Sequence, residues 1–311
     1  MLYSPLAFPV RLQNGCMAVL DETALPFEEK YIEVRTLEEA LWVLGSMKTR
    51  ALGQVLLFFY SCILFQDQFS IDDMVDKFKT ARPTFDFPLL GTLLAEGLEK
   101  EKDVKTAVEH FIRGFDSSMR RMAKILAALL PEPANILTIC NVNGALLYVY
   151  EELKKIGKEV LFYVCETRPY LQGTRLTFWE LCKNNIPCRL LCINQAARLM
   201  TENKINAIVT GADRATKRGD IINKVGTYSL ARLGHYFNIP FYPLTHYPKD
   251  IDVDAIEIEE RPAEEVFMFL EGNFDEIDTI YPSFDITRSE FVTKPMVVMP
   301  SPNYRSKGEK R

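Results

Sequence analysis

From residue 131 onward, short apolar runs alternate with amphipathic stretches, and this rhythm restricts the fold more tightly than any other feature of the chain. The runs "ILTIC", "EVLFYVC", "CRLLCI", "AIVTG" and "PFYPL" have the length and composition of strands. Between them lie "GALLYVYEELKKIG", "LTFWELCKNN", "AARLMTEN" and "NKVGTYSLARLGHYF", whose apolar residues recur at helical spacing. Strands that are apolar on both faces, separated by helices, predict a parallel, doubly wound sheet covered on both sides. Ligands of such sheets sit beyond the carboxyl ends of the strands. The places to look are therefore just after Ile139, Cys165, Ile193 and Gly211.

The first 130 residues follow a different pattern. Alternating stretches ("MAVLDE", "KYIEV") broken by "NG" and "LPF" predict a small β element. Thr36 and Glu39 make a capping box, and helical periodicity then continues through "SIDDMVDKFKT", "LLGTLLAEGLEK" and "DVKTAVEHFIRGFDSSMRRMAKILAALL". The expected organisation is α/β. A mostly helical N-terminal domain with a small β start covers 1–130, and a Rossmann-like domain covers 131–311. The last ten or so residues are expected to form a flexible tail.

The net charge is −5, and no basic stripe appears apart from "RSKGEKR" near the end, which argues against a nucleic-acid surface. A local basic pocket for a small anion is still compatible with that balance. The seven cysteines include no C-x-x-C pair and there are only three histidines, so disulfide and zinc frameworks are disfavoured. The start "MLYSPLAFPVRLQNG" has no charged segment followed by a long apolar one, and "VLLFFYSCILF" is too short to span a bilayer. The expected compartment is the cytoplasm, with no membrane partner.

Several strand ends carry chemistry. Cys140 stands where a strand turns toward a helix, a position that favours thiolate, although burial in a core is the commoner fate of cysteine. Glu166, Arg168, Gln172 and Arg175 crowd one segment, suited to a phosphate or carboxylate, or equally to an ion-pair cluster. Asp213 follows "AIVTG", where partly apolar surroundings would raise its pKa and suit it to general acid work; capping the next loop is the plainer role. Asn223 and Lys224 are read as opening the next helix, with Lys224 at an anion-binding N-terminus. Arg50 and Arg82 interrupt apolar helical contexts, and each is either a ligand group or a surface charge with a packed stem.

Taken together, these segments resemble the 5-methylthioribose-1-phosphate isomerases, a family related to ribose-1,5-bisphosphate isomerases and to regulatory subunits of the translation initiation exchange factor. "LDETALP" is similar to LDQTxLP, "ARPT" to S-R-P-T, and "ILTICN" to I-L-T-H-C-N. "ETRPYLQGTRLTFWEL" is similar to E-T-R-P-x-x-Q-G-x-R-L-T-A-x-E-L, and "GADRATKRGDIINKVGT" to G-A-D-R-I-x-x-N-G-D-x-x-N-K-I-G-T. "IEIEERPAEEV" and "YPSFDIT" match the closing segments. The resemblance implies Cys140 and Asp213 as the catalytic pair and Arg50, Arg82, Gln172, Asn223 and Lys224 as holders of a sugar phosphate. It also implies a homodimer and no metal or organic cofactor. Departures include Ile139 in place of the family's His, "RALG" in place of R-G-A-P, and Arg218 in the "RGD" loop. The implied reaction is aldose–ketose isomerisation of a 1-phosphorylated pentose, 5-methylthioribose 1-phosphate first. Ribose 1,5-bisphosphate or a deoxypentose 1-phosphate is the enzymatic alternative, and a non-catalytic sugar-phosphate or nucleotide sensor, or an assembly subunit, is the other.

Overall fold

The computed structural model describes residues 2–272 and 277–299, so the expected tail lies outside the described residues. The chain divides into two compact units between Ser117 and Ser118.

In the N-terminal unit, β1 (Val10–Gln13), β2 (Cys16–Leu20) and β3 (Tyr31–Val34) form an antiparallel sheet in that order. Every residue of β2 is buried. Four helices follow: α1 (Leu37–Gly45), α2 (Leu52–Leu64), α3 (Ile71–Ala81) and α4 (Phe87–Leu98). The Thr36–Glu39 capping box forms as expected, and Ser70 with Asp73 builds a second one at α3. Each reciprocal pair satisfies two amides that the helix itself leaves unbonded. Phe58, Phe78 and Phe87 pack with ring centroids 5.2–5.6 Å apart, and all three are fully buried. Burial of each contributes about 2–3 kcal/mol, which is what holds three short helices together. The long helix α5 (Val104–Leu129) runs through the division between the units.

The C-terminal unit contains β4 (Ala134–Ile139), α6 (Ala145–Lys155), β5 (Val160–Cys165), a π-helical turn at Gly173–Phe178 that continues into α7 (Trp179–Lys183), and β6 (Cys188–Leu191). Next come α8 (Ala196–Thr201), β7 (Ala207–Gly211), β8 (Arg214–Ala215), β9 (Ile221–Lys224), α9 (Thr227–Tyr236), β10 (Phe241–His246), β11 (Phe284–Thr287) and β12 (Met296–Met299). Six strands form a parallel sheet in the order β12-β10-β7-β4-β5-β6. The chain winds outward from β4 in one direction, returns, and winds outward from β7 in the other. The topological switch therefore falls between β4 and β7, where a doubly wound sheet opens a crevice. Ile136, Leu137, Ile139, Phe162, Val164, Ile208 and Val209 are buried to 0% exposure, which explains why their runs show no polar alternation.

Two details differ from the sequence reading. Asn223 and Lys224 do not open a helix; they end strand β9, which pairs antiparallel with β8 and with β11 in a small second sheet. The β-branched Ile221 and Ile222 favour the strand, and Gly226 then turns the chain at φ 103° before α9 begins at Thr227. A side chain at Gly226 would stand 2.5 Å from Ile193 Cδ1 and 3.1 Å from Ile139 Cδ1, so the turn has no room for one. The third parallel strand ends at Leu191, and Ile193 begins a 3₁₀ turn. Among the described residues no helix is long and apolar enough to cross a membrane.

Candidate active site

Cys140 follows β4 with φ 65°, a left-handed conformation uncommon for a residue with a Cβ. Its N–H donates to Thr167 Oγ1 at 2.8 Å, and its carbonyl accepts from Thr177 Oγ1 at 2.8 Å. Thr167, in the loop after β5, is itself at φ 68°, and its hydroxyl donates to the Cys165 carbonyl at 3.0 Å. For a β-branched residue that φ is an outlier. Strain of this kind costs on the order of 1–3 kcal/mol per residue and gathers at functional sites. The thiol is partly buried.

Asp213 lies two residues beyond β7. Its N–H donates to the Ile222 carbonyl at 2.9 Å, which ties the loop to β9. The carboxylate is 42% exposed and faces Arg214 Nε at 3.8 Å, a more polar setting than the partly apolar one expected from the sequence. The reason is local: once its amide is paired with β9, the residue leaves the sheet interior.

The register brings the two strand ends together. β4 pairs with β7 through Ile136–Ala207 and Leu137–Ile208. Carried forward, the same offset sets Cys140 level with Gly211 on the adjacent strand, and neighbouring strands are about 4.8 Å apart. A Cβ on Gly211 would lie 3.7 Å from the Asn141 carbonyl and 4.0 Å from Asn223 Oδ1, so the loop after β4, the end of β7 and Asn223 meet at one spot. Asn223 is buried and donates to Thr227 Oγ1 at 2.9 Å. Lys224 is buried as well, with Nζ 4.8 Å from the Phe284 ring centroid.

Gln172 precedes the π-helical turn. It is 6% exposed, yet its Oε1 has no hydrogen-bond partner among the described residues. A buried acceptor left open is costly and marks a place for a ligand group. Arg168, by contrast, donates to the Val266 carbonyl at 2.7 Å and covers the Phe269 ring, so it secures a neighbouring segment. Glu166 accepts from Cys192 Sγ at 3.4 Å.

Two contributors escaped the sequence reading. Asp285 on β11 accepts the N–H groups of Gly226 (2.7 Å) and Tyr228 (3.0 Å), capping α9 from far along the chain. Burial pushes its carboxyl up to about 6, against the lowering effect of those hydrogen bonds and of Lys224. Tyr281 is buried, and burial first, then the charge of Glu265, pushes its phenol up to about 12 against the lowering effect of Arg261. Both residues sit in "YPSFDIT", where neither gives a local signal of its own.

Arg50 and Arg82 belong to the N-terminal unit, and both are partly buried. Arg82 ends α3, donating its N–H to the Phe78 carbonyl at 2.9 Å. The Arg50 N–H donates to Glu22 Oε1 at 2.9 Å, and Thr49 Oγ1 donates to the same oxygen at 2.7 Å. The next residue, Ala51, is held at φ 41°, where the resembling family carries Gly. Glu22 is fully buried, its Oε2 has no partner among the described residues, and burial lifts its carboxyl to about 7. The native state thus holds this proton more tightly than the unfolded chain, so stability falls as pH rises from ~4.5 toward about 7. Glu22→Gln is expected to remove a pH-dependent loss on the order of 3 kcal/mol. Thermal midpoints at pH 5 and pH 8 check this: the drop between them shrinks in the variant. An unchanged drop assigns the pH dependence elsewhere.

Known proteins resemble this chain in sequence and in fold. The description "Initiation factor 2 subunit family" matches residues 71–297. The chain is 32% identical over 305 residues to the methylthioribose-1-phosphate isomerase of Aquifex aeolicus, covering 92% of this chain and 66% of that protein. It is 33% identical over 319 residues to that of Caldicellulosiruptor saccharolyticus, covering 90% and 92% of the two. The crystal structure of 5-methylthioribose 1-phosphate isomerase from Pyrococcus horikoshii matches with a TM-score of 0.76 and 26% identity, covering 95% of this chain and 94% of that one. Subunit delta of the translation initiation factor eIF-2B from A. fulgidus matches with a TM-score of 0.75 and 26% identity, over 93% and 94%. With a doubly wound sheet, a shared length and a family description spanning most of its residues, the chain belongs to the initiation factor 2 subunit family.

Proposed function

We propose that this protein is a sugar-phosphate isomerase that converts 5-methylthioribose 1-phosphate to the corresponding ketose 1-phosphate. The observation that supports the proposal is that Cys140 and Asp213 follow the two strands flanking the sheet's switch point, directly after β4 and two residues beyond β7. The relatives named methylthioribose-1-phosphate isomerase support the reaction class and the first choice of substrate.

The chemistry runs as acid–base transfer. A furanose with phosphate on its anomeric oxygen cannot open simply to a free aldehyde. Protonated Asp213 donates to the ring oxygen as the C1–O bond breaks. The Cys140 thiolate takes the C2 proton and returns it at C1, while the Asp213 carboxylate takes the C2 hydroxyl proton; the C2 carbonyl forms, Asp213 is protonated again, and the ketose keeps its phosphate. Substrate seated over Asp213 removes water from a carboxylate that is otherwise exposed, which raises its proton affinity. A sugar hydroxyl satisfies the open Oε1 of Gln172. Lys224 and Asn223 hold polar and anionic groups of the sugar phosphate. The same reading makes the protein a homodimer, which sedimentation mass checks directly.

Substrate identity is tested by competing sugars. Ketose formation is expected with a higher kcat/KM on 5-methylthioribose 1-phosphate than on ribose 1,5-bisphosphate. The reverse order overturns the substrate and leaves the reaction class.

A further inference from the structure

We infer that Thr167 and Thr177 are positioning residues that set the peptide of Cys140, and through it the thiol, for proton transfer; this rests on the reading of Cys140 as the acid–base group. Both threonines are almost completely buried, at 1% and 2% exposure. Their hydroxyls hold opposite ends of the same residue: Thr167 accepts the Cys140 N–H, and Thr177 donates to the Cys140 carbonyl, each at 2.8 Å.

The proton accounting leaves neither hydroxyl a proton to give to substrate. Thr167 has one hydroxyl proton, and it is committed to the Cys165 carbonyl at 3.0 Å. One of its two lone pairs accepts the Cys140 N–H, which can only donate. Thr177 spends its own proton on the Cys140 carbonyl. These are supports, distinct from the groups that would touch the sugar.

The supports hold a conformation the chain would otherwise leave. Cys140 at φ 65° breaks the extended run of β4, and Thr167 at φ 68° does the same after β5. Without the two bonds, the peptide would relax toward extended geometry, where successive side chains point to opposite faces, and the thiol would change its direction. β-branched side chains suit the task because χ1 is stiff and the hydroxyl stays where the backbone sets it. The π-helical turn has a part here as well. Its wider winding over Gly173–Phe178 lets Gly173 lie against the Cys165 carbonyl while Thr177 reaches the Cys140 carbonyl.

The test replaces each threonine with valine, which keeps shape and removes the hydroxyl, and with serine, which keeps the hydroxyl. Each valine variant is expected to lower kcat by roughly 10- to 100-fold with KM nearly unchanged, because displacement of a reacting group by about 1 Å costs on that scale. Each serine variant is expected to recover most of the loss. The pH at which Cys140 becomes half-reactive toward iodoacetamide, read by peptide mass, is expected to move upward in the valine variants. Wild-type kcat and an unmoved alkylation profile in both valine variants overturn the inference, as does a loss confined to KM. If Thr167→Val does not fold, Thr177→Val decides alone. If the wild-type protein turns over no sugar phosphate, the proposed activity fails, and the alkylation profile still decides whether the threonines govern the thiol.

Discussion

Cys140→Ala is expected to reduce kcat for ketose formation by roughly 10³-fold or more while the protein stays folded. General acid–base groups contribute about 10²–10⁴-fold each, and the proton at C2 has no second base among the proposed residues. Stability should change little. Alanine keeps the Cβ, and the two hydrogen bonds at Cys140 are made by its backbone. Asp213→Asn is expected to cost a similar factor, since an amide has no proton of suitable acidity for the ring oxygen. The double variant should be little worse than either single one, because the two groups act as a unit in one isomerisation. Kinetics on variants with wild-type thermal midpoints check the prediction. Retention of more than about a tenth of kcat in Cys140→Ala would remove the thiol from the mechanism.

Gly173→Ala is the second large effect, and it acts on stability. A methyl group there would stand 1.8 Å from the Cys165 carbonyl oxygen and 2.9 Å from both the carbonyl carbon and Thr167 Oγ1. The two Cys165 atoms are backbone of β5, which is paired on both sides with β4 and β6, so they cannot step back without distorting the sheet. Overpacking of well-packed cores costs about 1–3 kcal/mol, and a clash with backbone belongs at or above the top of that range. The expected outcome is a urea midpoint lowered by an amount corresponding to about 3 kcal/mol or more, or no soluble folded protein. The same displacement would disturb Thr167 and so the Cys140 peptide. A midpoint equal to wild type would show that the turn adapts at no cost.

What could be read from residues alone follows from how local the governing physics is. The runs containing Ile136, Phe162 and Ile208 declared themselves because a strand buried on both faces must be apolar throughout. Their alternation with helices set the sheet's type, and the rule for strand ends then singled out Cys140 and Asp213. Strand β12, "MVVM" at Met296–Met299, was not singled out, since four apolar residues after a polar segment match several local structures. Asn223 and Lys224 were misassigned because their strand is justified by β11, roughly 60 residues downstream, and a non-local partner leaves no local trace. Asp285 escaped for the same reason: it caps α9 through contacts 57 and 59 residues away. The π-helical winding is equally silent, since apolar spacing over six residues does not distinguish it from an α-helix. Long-range hydrogen bonds between loops, such as those of Thr167 and Thr177, belong to the same class.

The most direct measurement is proton NMR of 5-methylthioribose 1-phosphate incubated with the purified wild-type protein. Disappearance of the anomeric proton, with growth of ketose 1-phosphate signals that Cys140→Ala does not produce, is the predicted result. A spectrum unchanged by the wild-type protein, while the same sugar phosphate raises its thermal midpoint, would contradict the account and make the switch-point crevice a binding site without catalysis.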